Sequence, residues 1–310
     1  MRSVALGIVL GFAGDRVLGD PARAHPVSAF GRVARTLEAR TYRPRRSAGA
    51  LHVAALVGAA ALPAAALDRA LARRPHARSL LVGAVLWAAL GGRSLGAEAR
   101  GLAEEIRRGD LGAARRRLPA LAGRDPEGLD RSELCRAAVE SVAENTADAV
   151  VGPLLWCALA GPAGAAAYRA ANTLDALIGH RSPRYERFGW AAARLDDVLT
   201  WPAARLASAL AVALAPLAGG DPRSAWRILR RDGRAHPSPN AGRLEAAFAG
   251  ALWTRLGGVN RYGGRLERRP RIGDGPAPDV DHVERAVRLS AAVGTVATAV
   301  CALLAGRWGR

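Results

Sequence analysis

Long uncharged runs alternate with arginine-rich stretches along this chain. Residues 47–67 (SAGALHVAALVGAAALPAAAL) contain no Arg, Asp or Glu and match the length a helix needs to cross a bilayer. Residues 289–306 form a second such run. A soluble helix of that length would carry a polar face, and apart from His52 and a few hydroxyls neither run has one. Both therefore read as spans. Residues 3–14, 79–92, 149–168 and 206–220 are short or interrupted by Pro and Gly, and are weaker candidates. The pattern predicts an all-α, polytopic integral membrane protein with roughly 4–6 spanning or re-entrant helices and polar helical loops, in a single domain.

Local signals refine that outline. The N-terminal run has Arg2 as its only early charge, and Asp15 follows where a signal-peptide cleavage site would need small residues, so it reads as retained. Residues 149–168 contain Pro153, Gly161, Pro162 and Gly164, and are expected to form a broken or re-entrant segment against a protein cavity. Polar stretches occupy 15–46, 93–148, 169–205 and 221–288. Within the second, Arg100, Arg107, Arg108 and Arg115 to Arg117 suit either a helix on an anionic membrane surface or a solvated helix. Gly, Pro and charge in 257–281 predict irregular loop. The arginine-rich 15–46 stretch belongs on the cytoplasmic side by the positive-inside rule, although the connector 73–78 is basic too.

Composition then narrows the chemistry. The chain of 310 residues is 50% hydrophobic, 5% aromatic and carries a formal charge of +18. It contains no lysine, which excludes a Schiff-base lysine and a P-loop. Arginine here reflects either a GC-rich genome or selection for bidentate phosphate and carboxylate recognition. Nucleic acid is not an expected partner, because the basic residues are scattered and few aromatics are present to stack bases. Cys135, Cys157 and Cys301 have neither disulfide nor zinc spacing and read as small buried hydrophobes.

The densest polar pattern is ELCRAAVESVAENTADAVVGP. On a helix, Arg136, Glu140, Glu144 and Asp148 recur every four residues and share one face. Stacked carboxylates repel unless neutralised, so Glu140, Glu144 and Asp148 are candidate Mg²⁺ ligands; an Arg-paired helix face explains the pattern equally well. The stripe runs into an apolar stretch at Val150, where unpaired charge is expensive and usually functional. Downstream, Arg169, Asn172 and Asp175 fall along one helical flank, and Arg194, Asp196, Asp197 and Arg205 bracket a Trp-Pro expected to begin a helix. Asp196 and Asp197 cannot point the same way: one can bind metal while the other pairs with Arg, and a structural Arg–Asp pair alone explains either equally well.

One frame occurs twice. RAHPVSAFGR at 23–32 and RAHPSPNAGR at 234–243 both follow a Gly-Asp-Pro. Proline pushes the preceding histidine toward extended backbone. The second copy adds Ser238 and Asn240 and opens a helix near Ala241, whose first amides would cradle phosphate with Arg234 and Arg243. Chance recurrence in an Arg/Ala-rich chain competes with a reading of both turns as anion-binding loops.

Four motifs in order, GDP…HPV…GR at 19–32, ENTADAVVGPLLW at 144–156, YRAANTLDALIGHRSPRYERFGWAAARLDDVLTWPAARL at 168–206 and AHPSPNAGRLEAAFAGAL at 235–252, resemble the cobinamide synthase family of cobalamin biosynthesis, CobD/CbiB. The resemblance implies a membrane enzyme that uses ATP and Mg²⁺ to couple adenosylcobyric acid to (R)-1-aminopropan-2-ol or its O-phosphate, with a possible partner protein of the same pathway. Its locale would be the cell membrane, with the active site facing the cytoplasm. The chemistry assigns His25, His236, Asp175, Asp196 and Asp197 to catalysis, either histidine taking the amine's proton, and Arg32, Arg169, Asn172, Arg194, Ser238, Asn240 and Arg243 to substrate or phosphate. This chain has TADAVVGP where the family pattern has TADGVVAP, and GRLEAAF in place of GWPEAAM, which puts a family-wide role for Arg243 in doubt. A non-enzymatic membrane carrier for corrinoid intermediates is the rival reading.

Overall fold

A computed structural model describes residues 2–20, 25–180 and 182–307. Its helices are α1 (Arg2–Leu18), α2 (Pro26–Thr41), α3 (Arg46–Ala70), α4 (Pro75–Ala89), α5 (Gly92–Arg107), α6 (Leu111–Arg117), α7 (Arg131–Asn145), α8 (Gly152–Leu174), α9 (Tyr185–Phe188), α10 (Trp190–Ala213), α11 (Pro222–Asp232), α12 (Ala241–Leu252) and α13 (Val280–Arg307). A two-stranded antiparallel sheet, β1 (Leu256–Tyr262) and β2 (Arg265–Ile272), interrupts them. Four segments are long and apolar enough to cross a membrane: Arg46–Ala70, Pro75–Arg107, Arg131–Gly179 and Val280–Arg307. The helical membrane architecture expected from the hydrophobic runs is present.

The chain forms two compact units, each assembled from separated segments. The first comprises Met1–Gly91, Asp148–Ala203 and Ala297–Arg310. Its helices approach closely through small residues. Gly7 and Gly11, spaced as in GxxxG, let α1 lie on α4, where a Cβ on Gly7 would stand 2.5 Å from the Val82 Cβ. Gly49 of α3 meets the Phe188 carbonyl, only 1.8 Å from where a Cβ would be. Gly49→Ala should therefore destabilise the protein by about 1–3 kcal/mol, because backbone cannot yield as a side chain can. Gly58→Ala on the same helix meets only the Leu62 Cδ1 at 3.9 Å and should be neutral or stabilising. Thermal unfolding of the two variants side by side in detergent checks this; equal midpoints would refute it.

Residues 149–168 are broken as expected. Within α8, Ala160 has φ −133° and Gly161 φ +64°, directly before Pro162. Pro202, by contrast, does not begin a helix but lies inside α10.

The second unit comprises Gly92–Ala147 and Ala204–Val296. The helix expected to carry Arg100 to Arg117 is instead two, α5 and α6, folded at Gly109 with φ +81°. Its arginines answer neighbours in the same unit: Arg117 pairs with Glu98 at 2.7 Å and Glu105 at 2.8 Å, and Arg107 and Arg108 both pair with Glu104.

The irregular loop expected at 257–281 is also corrected. Gly263 and Gly264 both have positive φ, the requirement of a type I′ turn, and join β1 to β2 as a tight hairpin. Asp125 clamps that turn by accepting from the Gly263 and Gly264 amides at 2.9 and 2.8 Å. These two bonds hold the Asp125 carboxyl below its usual range. Dense charge concealed a hairpin whose strands alternate poorly.

Candidate active site

The second unit encloses a cavity of roughly 250 Å³. Helix α7 supplies one wall and is set by its first turn, a capping box in which Asp130 accepts from the Glu133 amide and Glu133 from the Asp130 amide. One helical turn after Arg136 comes Glu140, buried at the cavity wall. It accepts from Arg124 Nη2 at 2.6 Å, Arg136 Nη1 at 3.2 Å and the Gly257 amide at 2.7 Å. Gly257 has φ +78° and a Cβ there would lie 1.9 Å from the Pro270 carbonyl, so only glycine can aim this amide at Glu140. Asn260 Oδ1 joins both guanidiniums, accepting from Arg124 at 3.0 Å and Arg136 at 2.9 Å.

The proposed metal trio of Glu140, Glu144 and Asp148 does not assemble. Glu140 is already occupied by two arginines and an amide. Asp148 lies in a π-helical segment, Thr146–Val151, whose wider turn breaks the four-residue register. Among the described residues no group of three or more His, Cys, Asp or Glu side chains is placed to hold a metal ion. Glu144 alone of the trio remains open, an exposed carboxylate lining the cavity.

Opposite elements complete the wall. Arg269 and Tyr262 come from the hairpin, the Arg269 guanidinium 5.5 Å from the Tyr262 ring centroid. From α12 comes Glu245, 1% exposed, with neither carboxylate oxygen hydrogen-bonded. Burial, reinforced by the neighbouring Glu140 and Glu144 carboxylates, pushes the Glu245 carboxyl well above the ordinary range. Glu245 was not singled out from the sequence, although it stands in the GRLEAAF motif.

The two His-Pro turns share a physical device. His25 Nδ1 accepts from the Val27 amide at 3.1 Å, and His236 Nδ1 accepts from the Ser238 amide at 3.0 Å. In both, the other ring nitrogen faces a carboxylate: His25 Nε2 lies 3.5 Å from Asp20, and His236 Nε2 3.8 Å from Glu245. A backbone N–H can only donate, so the neutral ring carries its proton on Nε2. Neither ring is then poised to take a proton from an amine; each presents a donor instead, which corrects the general-base expectation. Burial, with Arg269 adding to it, lowers the His236 pKa from its ordinary 6.5. A depressed histidine pKa contributes stability that is lost as pH falls below the unfolded value. His236→Asn should flatten the loss of thermal stability on acidification below about 6.5; an unchanged slope would count against this burial effect.

Ser238 and Asn240 set the start of α12, which begins at Ala241 as expected. Ser238 Oγ accepts from the Asn240 and Ala241 amides, so these two are occupied rather than free to cradle phosphate. Asn240 Oδ1 accepts from Arg205 at 3.0 Å. Arg243 keeps a buried Nε without a partner, and burial lowers its pKa, with Arg234 adding a like charge.

The remaining candidates lie in the first unit, where a second polar network forms. Arg169 donates to Asn172 at 3.4 Å, Asn172 to Asp196 at 3.2 Å, and Thr200 to the same Asp196 oxygen at 3.4 Å, with Tyr168 3.0 Å from Thr200. Asp197 turns the other way and pairs with Arg194 at 3.2 Å. The divergence expected of this pair is present. Arg194 forms that pair while largely exposed, and Arg32 is exposed on α2. Asp175 is half-buried where the π-helical segment Asp175–Gly179 begins. Arg23 lies outside the described residues.

Four helices long and apolar enough to cross a membrane, with buried charge networks and a small charged cavity, define a helical membrane protein. The chain belongs to the CobD/CbiB family: a family model described as CobD/Cbib protein matches residues 8–290. It is 53% identical over 303 residues to the cobalamin biosynthesis protein CobD of Mycobacterium tuberculosis, covering 98% of this chain and 96% of that protein. Identity to proteins of the same name is 44% over 265 residues for Geobacter metallireducens and 42% over 287 residues for Stutzerimonas stutzeri. These matches cover 84% and 93% of this chain, and 83% and 93% of the relatives. No solved structure matches it. The chain therefore has a role in cobalamin biosynthesis.

Proposed function

We propose that this protein is an ATP-dependent amide ligase joining (R)-1-aminopropan-2-ol or its O-phosphate to adenosylcobyric acid, at the cell membrane with its active site facing the cytoplasm. The single observation that carries this reading is the convergence, in one cavity of a chain from this family, of open carboxylates with guanidiniums. Amide formation from a carboxylate requires an activated acyl group, most directly an acyl phosphate, and then attack by a neutral amine. Without a Walker lysine, arginine must meet the phosphate charge, and Arg124 and Arg269 stand in the cavity wall.

Glu144 fits a supporting role toward Mg²⁺, which needs only one or two protein carboxylates when phosphates and water complete its shell. Bound there, the ion would neutralise nucleotide phosphate charge. Arg124 and Arg136 hold Glu140 in place, so Glu140 shapes the wall and keeps both guanidiniums oriented. His236 offers its Nε2 proton as a donor toward Glu245 or an anion.

The test is amide formation by the purified chain in nanodiscs, given adenosylcobyric acid, aminopropanol or its phosphate, Mg²⁺ and ATP, with product followed by mass. Product that requires ATP is expected. Corrinoid binding without product under every nucleotide would overturn ligation and support the carrier reading.

A further inference from the structure

We propose that the cavity of the second unit is a pocket for a small primary ammonium bearing an oxygen function, with Glu245 as the group that holds its nitrogen. The proposal rests on the amide-ligase reading for the identity of that ammonium, an aminoalcohol substrate. It goes further by assigning the amine nitrogen to Glu245, leaving Glu144 and the guanidiniums of the same wall to phosphate and its ion.

Size is the first argument. Sites for drug-sized ligands run from about 300 to 1,000 Å³. At roughly 250 Å³ this half-open cavity suits a three-carbon aminoalcohol, or the phosphate end of a larger ligand.

Hydrogen bonding is the second. Of the three carboxylates in the wall, Glu140 is fully answered by Arg124, Arg136 and the Gly257 amide. Glu245 is 1% exposed, and both its oxygens lack a hydrogen-bond partner. Its closest polar neighbour, His236 Nε2, stands 3.8 Å away, beyond hydrogen-bonding distance. Buried carboxylates left unanswered are costly and therefore rare, which marks this one as waiting for a donor from outside the chain. Pushed well above the ordinary range, Glu245 is a neutral acid in the empty pocket; an ammonium, which donates three times over, would favour loss of that proton to water and leave a carboxylate that only accepts.

Charge distribution is the third. Arg269 and Arg124 share the same wall with Tyr262. They give the other end of the ligand what it needs, since a hydroxyl or phosphate oxygen finds guanidinium and phenol donors while its nitrogen faces Glu245. The pocket is thus matched at both ends to one short, bifunctional molecule.

Calorimetry on the full chain in nanodiscs, with no ATP or corrinoid present, tests this using (R)-1-aminopropan-2-ol, its O-phosphate, propane-1,2-diol and Mg²⁺ alone. Both amines should bind and the diol should not. Glu245→Gln should weaken both amines by about tenfold or more, whereas Arg269→Gln should weaken the O-phosphate selectively. Infrared difference spectroscopy of wild-type protein gives a second readout: amine binding should shift a buried carboxyl band from acid to carboxylate, and Glu245→Gln should remove that band. Equal amine affinity in Glu245→Gln, absence of that shift, or Mg²⁺ binding that depends on Glu245 while amine binding does not, would each overturn the pocket. Amine binding by a chain that never forms amide would refute the ligase reading alone; amide formation by Glu245→Gln with unchanged KM for the amine would refute the pocket alone.

Discussion

Glu144→Ala is expected to lower the rate of amide formation by about a hundredfold or more while leaving the protein folded. The expectation follows from where the three stacked carboxylates of 140, 144 and 148 come to rest. Glu140 is bound up in ion pairs, Asp148 sits in the π-helical turn, and Glu144 alone presents a free carboxylate to the cavity. Removing one group that stabilises developing charge in a pre-organised site typically costs about 10²–10³ in kcat. An exposed side chain of this kind contributes little to folding, within about 0.5 kcal/mol. Turnover and thermal midpoint measured on the same preparation separate the two effects. Full activity in the alanine variant would sink the assignment, and a collapsed midpoint would show that Glu144 is structural.

The second large effect concerns stability. Glu140→Ala should destabilise the second unit by about 3–5 kcal/mol, the cost of leaving buried charge uncompensated. Arg124 is 5% exposed and Arg136 9% exposed, and Glu140 is the carboxylate both reach. The Gly257 amide loses its partner with it. Replacing the whole network by apolar residues of similar volume is a different experiment, since such swaps are often neutral or stabilising. The combined variant Arg124→Met, Arg136→Met, Glu140→Leu should therefore recover much of what Glu140→Ala loses. Detergent or thermal unfolding reads both; a midpoint for Glu140→Ala equal to that of wild type would show that water already reaches the cluster.

The candidate site was partly legible beforehand. Glu140 and Glu144 stood out because a four-residue spacing of acids is conspicuous in a chain dominated by Ala, Leu and Arg. Glu245 did not stand out, since a lone acid among AGRL and AAFAGAL has no local pattern, and its burial is a property of what packs over it. The His-Pro echo was visible as letters, but its meaning depended on hydrogen-bond direction: only a backbone amide pointing at Nδ1 reveals that the ring is a donor at Nε2. The hairpin of 256–272 was missed because its strands carry arginine on exposed positions and its glycines are shared by loops and turns alike.

By itself the sequence determined the helical membrane class, the break before Pro162, the start of α12 at Ala241 and the absence of any lysine-based chemistry. Each of these is local: hydrophobic run length, proline geometry, capping residues and inventory act within a few residues of one another. Tertiary structure alone decided which carboxylates are free. Arg124 and Gly257 reach Glu140 from positions 16 and 117 residues away in the chain, and a π-helical turn carries Asp148 out of its stripe. Ionisable groups acquire their roles from the partners and the solvent they lose on folding, and those are set by packing between distant segments.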